Sequence, residues 1–159
     1  MRIADCGLTK QIRNPQSAIR NTKTMAEQLR LEIVTPEKRV LDEKVDSVTL
    51  PGLNGEMQIL AGHTSLISQL KSGILTYNQG SATVRLMVSG GFVEINNDRV
   101  SVLADVAETS DEIDTALARQ ELSEAEKALS IWSGEESELA EMQNKLERAQ
   151  ARLHLTSGN

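Results

Sequence analysis

From Leu29 onward the chain alternates apolar and polar residues. Leu29, Leu31 and Ile33 take turns with Arg30 and Glu32, the period of two expected of a half-buried strand. Thr35-Pro36 interrupts this run, because proline lacks the N–H a strand ladder needs and restricts the residue before it. Val40-Leu41, Val45, Val48 and Leu50 predict further short strands, and Pro51-Gly52 and Asn54-Gly55 mark turns. Glu56–Leu60 predicts a strand that ends in a loop at Gly62-His63. Gly73–Tyr77 and Ala82–Val88 bracket a turn at Asn78-Gln79-Gly80, with Val84, Leu86 and Val88 on one face and Thr83, Arg85 and Met87 on the other. Phe92–Ile95, a turn at Asn96-Asn97-Asp98, and Val100–Leu103 complete the series. Short strands at close spacing without intervening helices predict an antiparallel sandwich or barrel.

Near Thr109 the period changes. Thr109-Ser110-Asp111-Glu112 has the form of a capping box, in which the cap hydroxyl and the carboxylate three residues on satisfy each other's backbone donors. Ala118, Leu122, Ala125, Leu129 and Trp132 follow at spacings of four and three. Leu139, Met142, Leu146, Ala149 and Leu153 repeat the pattern after a break at Ser133-Gly134. Two matching stripes joined by a short loop predict an antiparallel helical hairpin. Each stripe is narrow, so the expected contact with the strand domain is modest and the hairpin is a candidate moving part. Residues 29–108 then form the sandwich and 109–155 the hairpin.

Composition sharpens this. Aromatics make up 2 % of the chain, namely Tyr77, Phe92 and Trp132, so the core must be built from aliphatic residues and a base-stacking surface is not expected. Residues 1–24 carry five bases against one acid, Asp5, and hold +4 of a chain whose net charge is −6, which leaves −10 for the remainder. That balance argues against nucleic-acid binding by the body of the protein. The 1–28 segment admits three readings: an organellar targeting sequence, a basic arm for a partner or anionic lipid, or a disordered tail left by a start upstream of Met25. No run is long enough to span a bilayer. A single cysteine, Cys6, excludes an intramolecular disulfide.

Chemistry is sparse. There is no phosphate-binding loop or dinucleotide fingerprint, and the two histidines, His63 and His154, lie far apart with no metal-ligand spacing. No triad stands beside His63-Thr64-Ser65, so no catalytic or metal residue is expected. The stretch Gly55–Ile67 is either a plain loop or a contact surface presented on a rigid scaffold. Glu135, Glu136, Glu138 and Glu141 begin the last helix and Lys145, Arg148 and Arg152 end it, an order that complements the helix dipole. Arg148 and Arg152, one turn apart, also offer a cationic strip to an acidic partner or a phosphate.

The sequence resembles the ε subunits of F-type ATP synthases, counterparts of the mitochondrial δ subunit. The matching stretches, in the family's order, are Leu31–Pro36, Leu50-Pro51-Gly52, Gly55-Glu56 through Gly62-His63-Thr64, Leu66-Ile67, and Gly73-Ile74-Leu75. They continue with Val88–Glu94, Val102–Asp105, Ala107-Glu108 and Ile113-Asp114. The resemblance implies a flattened sandwich of about ten strands followed by a helical hairpin, in a non-catalytic rotor subunit that couples proton flow through the c-ring to ATP synthesis. It implies that Glu56, Gly62, His63 and Thr64 belong to the surface meeting the γ subunit and the c-ring. It also implies that the hairpin inhibits ATP hydrolysis in some members, through the α and β subunits. The expected position is peripheral on the cytoplasmic face of the bacterial inner membrane, held by protein contacts, with an organellar inner membrane the less favoured alternative.

The chain departs from the family pattern at Met57-Gln58, Ala61 and Ser65, which loosens the docking loop but keeps Gly62-His63. Nucleotide-binding members carry Ile/Leu-Asp-x-x-Arg-Ala, whereas here Leu117 stands at the arginine position. Asp114, Arg148 and Arg152 remain as candidate nucleotide contacts. Without the third cation, ATP binding is expected to be weak or absent, and no cofactor is expected.

Overall fold

The computed structural model describes residues 28–134 and 136–157. The basic segment, with Met25 and Cys6, lies outside them. Ten strands run in order: β1 (Leu29–Val34), β2 (Arg39–Val45), β3 (Ser47–Gly52), β4 (Gly55–Leu60), β5 (Leu66–Gln69), β6 (Gly73–Gln79), β7 (Ala82–Ser89), β8 (Phe92–Asn96), β9 (Arg99–Leu103) and β10 (Val106–Glu108). One 3₁₀ turn, Ser110–Glu112, leads to helices α1 (Thr115–Ser130) and α2 (Glu136–Ser157). The strands form two five-stranded sheets, β2-β1-β9-β8-β5 and β10-β7-β6-β3-β4.

The alternation read from the sequence is what lets the sheets stack. Leu29, Leu31, Ile33, Val93, Ile95, Val100 and Val102 of the first sheet meet Val48, Leu50, Ile59, Leu75, Leu86 and Val88 of the second in one core. Tyr77 is its only aromatic. Side chains of this size contribute roughly 1.5–3 kcal/mol each when fully buried, so an aliphatic core suffices.

Several details differ from the sequence-based expectation. The sheets are antiparallel except for one pair, β1 with β9, which runs parallel in the register Leu31 to Val100; only a crossover brings such distant segments together. Strands β5 and β10 were not anticipated. The first is a four-residue edge strand whose Leu66 and Ile67 are both exposed, and the second has three residues, so neither shows a period.

Met87 is fully buried although it points away from the sandwich core. It packs with Ala151 and Leu155 of α2, flanked by Ile74, Val106 and Ile113. The hairpin therefore lies on the outer face of the second sheet. The capping box at Thr109 and Glu112 is present, but it closes the 3₁₀ turn. Helix α1 is capped instead by Asp114, whose side chain accepts from the backbone N–H groups of Ala116 and Leu117. The helix ends at Ser130, which leaves Trp132 in the connecting loop rather than on the stripe.

Candidate functional site

The loop from Ala61 to Ser65 joins an edge strand of one sheet, β4, to an edge strand of the other, β5. Gly62 takes φ +79° with open space around it, a left-handed conformation natural only to glycine. Its N–H donates to Asp98 Oδ1 at 2.6 Å. Asp98 and Asn97 both have positive φ (60° and 48°) and connect Asn96 to Arg99, which are paired across β8 and β9. Positive φ at both central residues identifies a type I′ hairpin turn. The loop is thus pinned to a tight turn of the first sheet. His63 is half-buried: its N–H donates to the Leu60 carbonyl, and its Nδ1 lies 2.7 Å from the Thr64 carbonyl. A carbonyl only accepts, so Nδ1 is the donor in this contact.

Glu56 stands apart from this loop. It lies at the start of β4, opposite Pro51, six residues from Gly62. Four of those steps lie within β4, which ends at Leu60, and at about 3.4 Å per residue they span about 14 Å. The structure therefore does not gather Glu56 with Gly62, His63 and Thr64. Glu56 instead borders a groove of about 560 Å³ beneath α2, with Lys71, Glu147 and His154 on its walls.

Around the loop are apolar side chains that no core covers. Leu60 and Leu66 flank it, and Ile67 is 72 % exposed. On the outer face of the first sheet, Phe92 (53 % exposed) sits directly opposite Leu103 (56 % exposed). Ile67 is diagonal to Phe92 through the pairings Gln69–Phe92 and Ile67–Glu94, within reach of an aromatic ring. A contiguous apolar patch on a folded domain marks a contact surface. Beside it on the same face lies an ion network: Arg99 and Arg39 pair with Glu32, and Arg30 (2.9 Å) and Arg39 (3.2 Å) pair with Asp42. The Arg30 guanidinium holds the Asp42 carboxyl below the usual carboxylate range.

Two of the three candidate nucleotide residues, Asp114 and Arg152, have partners within the chain. Asp114 caps α1. Arg152 donates to both oxygens of Glu108, Nε to Oε2 at 2.8 Å and Nη2 to Oε1 at 2.7 Å, and Nη1 donates to Glu121 at 2.6 Å. Arg148 lines the cleft of about 370 Å³ between the helices with Glu121, Glu124 and Lys145, and Asp114 does not border that cleft. Leu117 is half exposed. Among the described residues, no group of three or more His, Cys, Asp or Glu side chains is placed to hold a metal ion.

Comparison with known proteins supplies the decisive observation. Residues 28–110 match the family described as ATP synthase, Delta/Epsilon chain, beta-sandwich domain, and residues 111–157 match its long alpha-helix domain. The chain belongs to the ATP synthase delta/epsilon family. It is an epsilon-type, non-catalytic subunit of an ATP synthase. It is 40 % identical over 131 residues to the ATP synthase epsilon chain of Geobacter sulfurreducens, covering 82 % of this chain and 95 % of that one. Over 111 residues it is 45 % identical to the epsilon chain of Desulforamulus reducens, covering 70 % and 84 %. Among solved structures, it is similar to a chain of the Euglena gracilis mitochondrial ATP synthase, OSCP/F1/c-ring, with a TM-score of 0.68 and 28 % identity over 80 % of this chain and 79 % of that one. A chain of the Tetrahymena thermophila mitochondrial ATP synthase central stalk and c-ring shares the fold, with a TM-score of 0.55 and 12 % identity over 82 % and 98 %.

Two features of this delta/epsilon chain were not expected from its sequence: Asp98, the anchor of the loop, and the outward Phe92–Leu103 pair. The pair had a signal: Phe92 alternates out of phase with the core residues Val93 and Ile95. Asp98 had none beyond its place in a turn.

A second electrostatic link joins hairpin and sandwich. Lys38 Nζ lies 2.7 Å from Glu112 Oε1. The Lys38 ammonium first, and then the Thr109 backbone N–H and hydroxyl, pull the Glu112 carboxyl down to about 2 from an ordinary value of 4.5. A carboxyl whose folded pKa is depressed contributes stability above its unfolded pKa and loses it as pH falls through the folded one. The Glu112 contribution is therefore complete above about pH 4.5 and gone near pH 2. Urea midpoints of the parent chain and Glu112→Gln, followed between those values, are expected to converge as pH falls. A gap that stays constant with pH would show that Glu112 acts without its charge.

No helix among the described residues is long and apolar enough to cross a membrane.

Proposed function

We propose that the chain sits at the foot of the central stalk of a proton-translocating F-type ATP synthase, its sandwich held between the γ subunit and the c-ring. It transmits proton-driven rotation by docking and performs no chemistry of its own. What supports this reading is the exposed Ile67–Phe92–Leu103 patch beside the Gly62–Thr64 loop, presented on a rigid scaffold. Aromatic and aliphatic anchors of this kind carry most of the binding energy of protein interfaces. Glu56 lies at the far end of β4 and serves a separate contact, so γ and the c-ring meet different ends of that strand. The hairpin is the arm that restrains ATP hydrolysis through the α and β subunits. The chain lies on the cytoplasmic face of a bacterial inner membrane through protein contacts.

The test is reconstitution with the remaining stalk and ring. Glu56→Lys and His63→Ala are each expected to reduce ATP-driven proton pumping, and Phe92→Ala to weaken binding to the γ subunit by about tenfold. Circular dichroism and urea midpoints should stay at parent values, because all three side chains lie outside the core. A variant that unfolds the sandwich would show that its residue was structural. Full binding and pumping by all three would defeat the docking reading.

A further inference from the structure

Beyond the Lys38–Glu112 pair at the 3₁₀ turn, the helices of the hairpin rest on the sandwich through a small apolar cluster and a charged assembly. The cluster is Met87 with Ala151 and Leu155. The assembly is Arg152, which reaches three elements at once: its own helix α2, Glu108 of β10 and Glu121 of α1. The Arg152 side chain is 16 % exposed and its partners are 22 % and 34 % exposed, so the contacts are only partly screened by water. A guanidinium bound bidentately by one carboxylate and singly by another has three of its five N–H donors satisfied. Hydrogen bonding to Glu108, and then the other carboxylate contacts, more than offset the effect of burial and hold Arg152 firmly charged. The pairs tie β10, the last strand before the linker, to both helices that follow it.

We infer that the Arg152–Glu108–Glu121 assembly is a clasp that holds the hairpin against the sandwich without any ligand. Removal of Arg152 leaves Glu108 and Glu121 as unneutralised, half-buried like charges on facing elements. Lys145 and Arg148 line the adjoining cleft with Glu121, on the preceding turns of α2, and do not bridge to β10. The clasp thus depends on one side chain, and its opening frees both helices together. The inference concerns the isolated chain, so it stands or falls independently of the docking to γ and the c-ring proposed above.

The full chain contains a single tryptophan, Trp132, at the turn between the helices, which serves as a native energy donor. A thiol-reactive acceptor placed at Ser81→Cys in a Cys6→Ser background puts the second probe on the exposed β6–β7 turn of the sandwich. Arg152→Gln is expected to shift the docked-to-released equilibrium by at least about thirtyfold, seen as a change in transfer efficiency. Glu121→Gln, which leaves the bidentate pair intact, should give a smaller shift of the same sign. Adding Glu108→Gln to Arg152→Gln should restore part of the docked population, because it removes one of the two unneutralised like charges. Mg-ATP at about 1 mM should leave transfer in the parent chain unchanged, as expected with Leu117 in place of a third cation.

Transfer unaltered by both single variants would overturn the clasp, as would strictly additive effects of Arg152→Gln and Glu108→Gln. An ATP-dependent change in the parent chain would overturn its independence of ligand. The urea midpoint of the sandwich, followed in the same samples, separates release of the hairpin from unfolding of the whole chain.

Discussion

Gly91→Ala is expected to lower the stability of the sandwich by roughly 2–6 kcal/mol, a large part of the total of about 5–15 kcal/mol typical of a domain. Two independent terms add. Gly91 has φ +85°, where a side chain strains the backbone by about 1–3 kcal/mol. A Cβ at this position would land on the Leu103 carbonyl oxygen and lie 2.9 Å from the Ala104 Cα. Both obstacles are backbone, so no rotamer change relieves them, and overpacking of this kind costs a further 1–3 kcal/mol or so. The Gly91 carbonyl also accepts from the Leu70 N–H, so moving the strand aside breaks a link at the edge of the sheet. Gly62→Ala is the control: its φ is similar, but nothing stands within 4 Å of the added carbon. A urea midpoint that falls much further for Gly91→Ala, with an unchanged slope, confirms that close backbone approach dominates. Equal losses at the two glycines would show that φ strain alone decides.

Removing every residue after Glu108 is expected to leave binding to the γ subunit intact and to raise ATP hydrolysis by the reconstituted complex. If the hairpin blocks between half and nine-tenths of the complexes, its loss gives an increase of about two- to tenfold. The truncation exposes Met87, Ile74 and Val106, which α2 normally covers, but leaves the inter-sheet core untouched. Far-UV circular dichroism should therefore lose helix and keep strand. Unchanged hydrolysis with γ binding retained would remove the inhibitory role and leave the docking role standing.

Local patterns were legible wherever one face of an element is buried and the other wet. The runs at 29–33, 84–88, 92–95 and 100–103 showed their period because solvent lies on one side, and the two helical stripes showed theirs for the same reason. Met87 broke the rule because a second layer covers its face, and no neighbour of Met87 in the chain announces that layer. Strands β5 and β10 were invisible because three or four residues at a sheet edge are defined by their partners. The capping box was real as a set of hydrogen bonds but belonged to a 3₁₀ turn; the same sequence signature serves either kind of start.

The candidate sites divide along the same line. Gly62, His63 and Thr64 remained together because they are neighbours in sequence. Glu56, grouped with them on the strength of a linear motif, proved to lie the length of a strand away. Arg148 and Arg152 were read as a matched pair from their four-residue spacing. Only the packing of α2 against β10 and α1 distinguishes them, Arg152 in a three-way clasp and Arg148 in the cleft between the helices.

The sequence by itself determined the two-part architecture, the aliphatic core and the absence of a recognisable catalytic or metal-binding motif, because each follows from residue type and local period. Tertiary structure alone decided the parallel joining of β1 to β9, the outer apolar patch formed by Ile67, Phe92 and Leu103, and the identity of the residue that fastens the hairpin. Each of these depends on which distant segments meet, and contacts between residues separated by tens of positions leave no period along the chain.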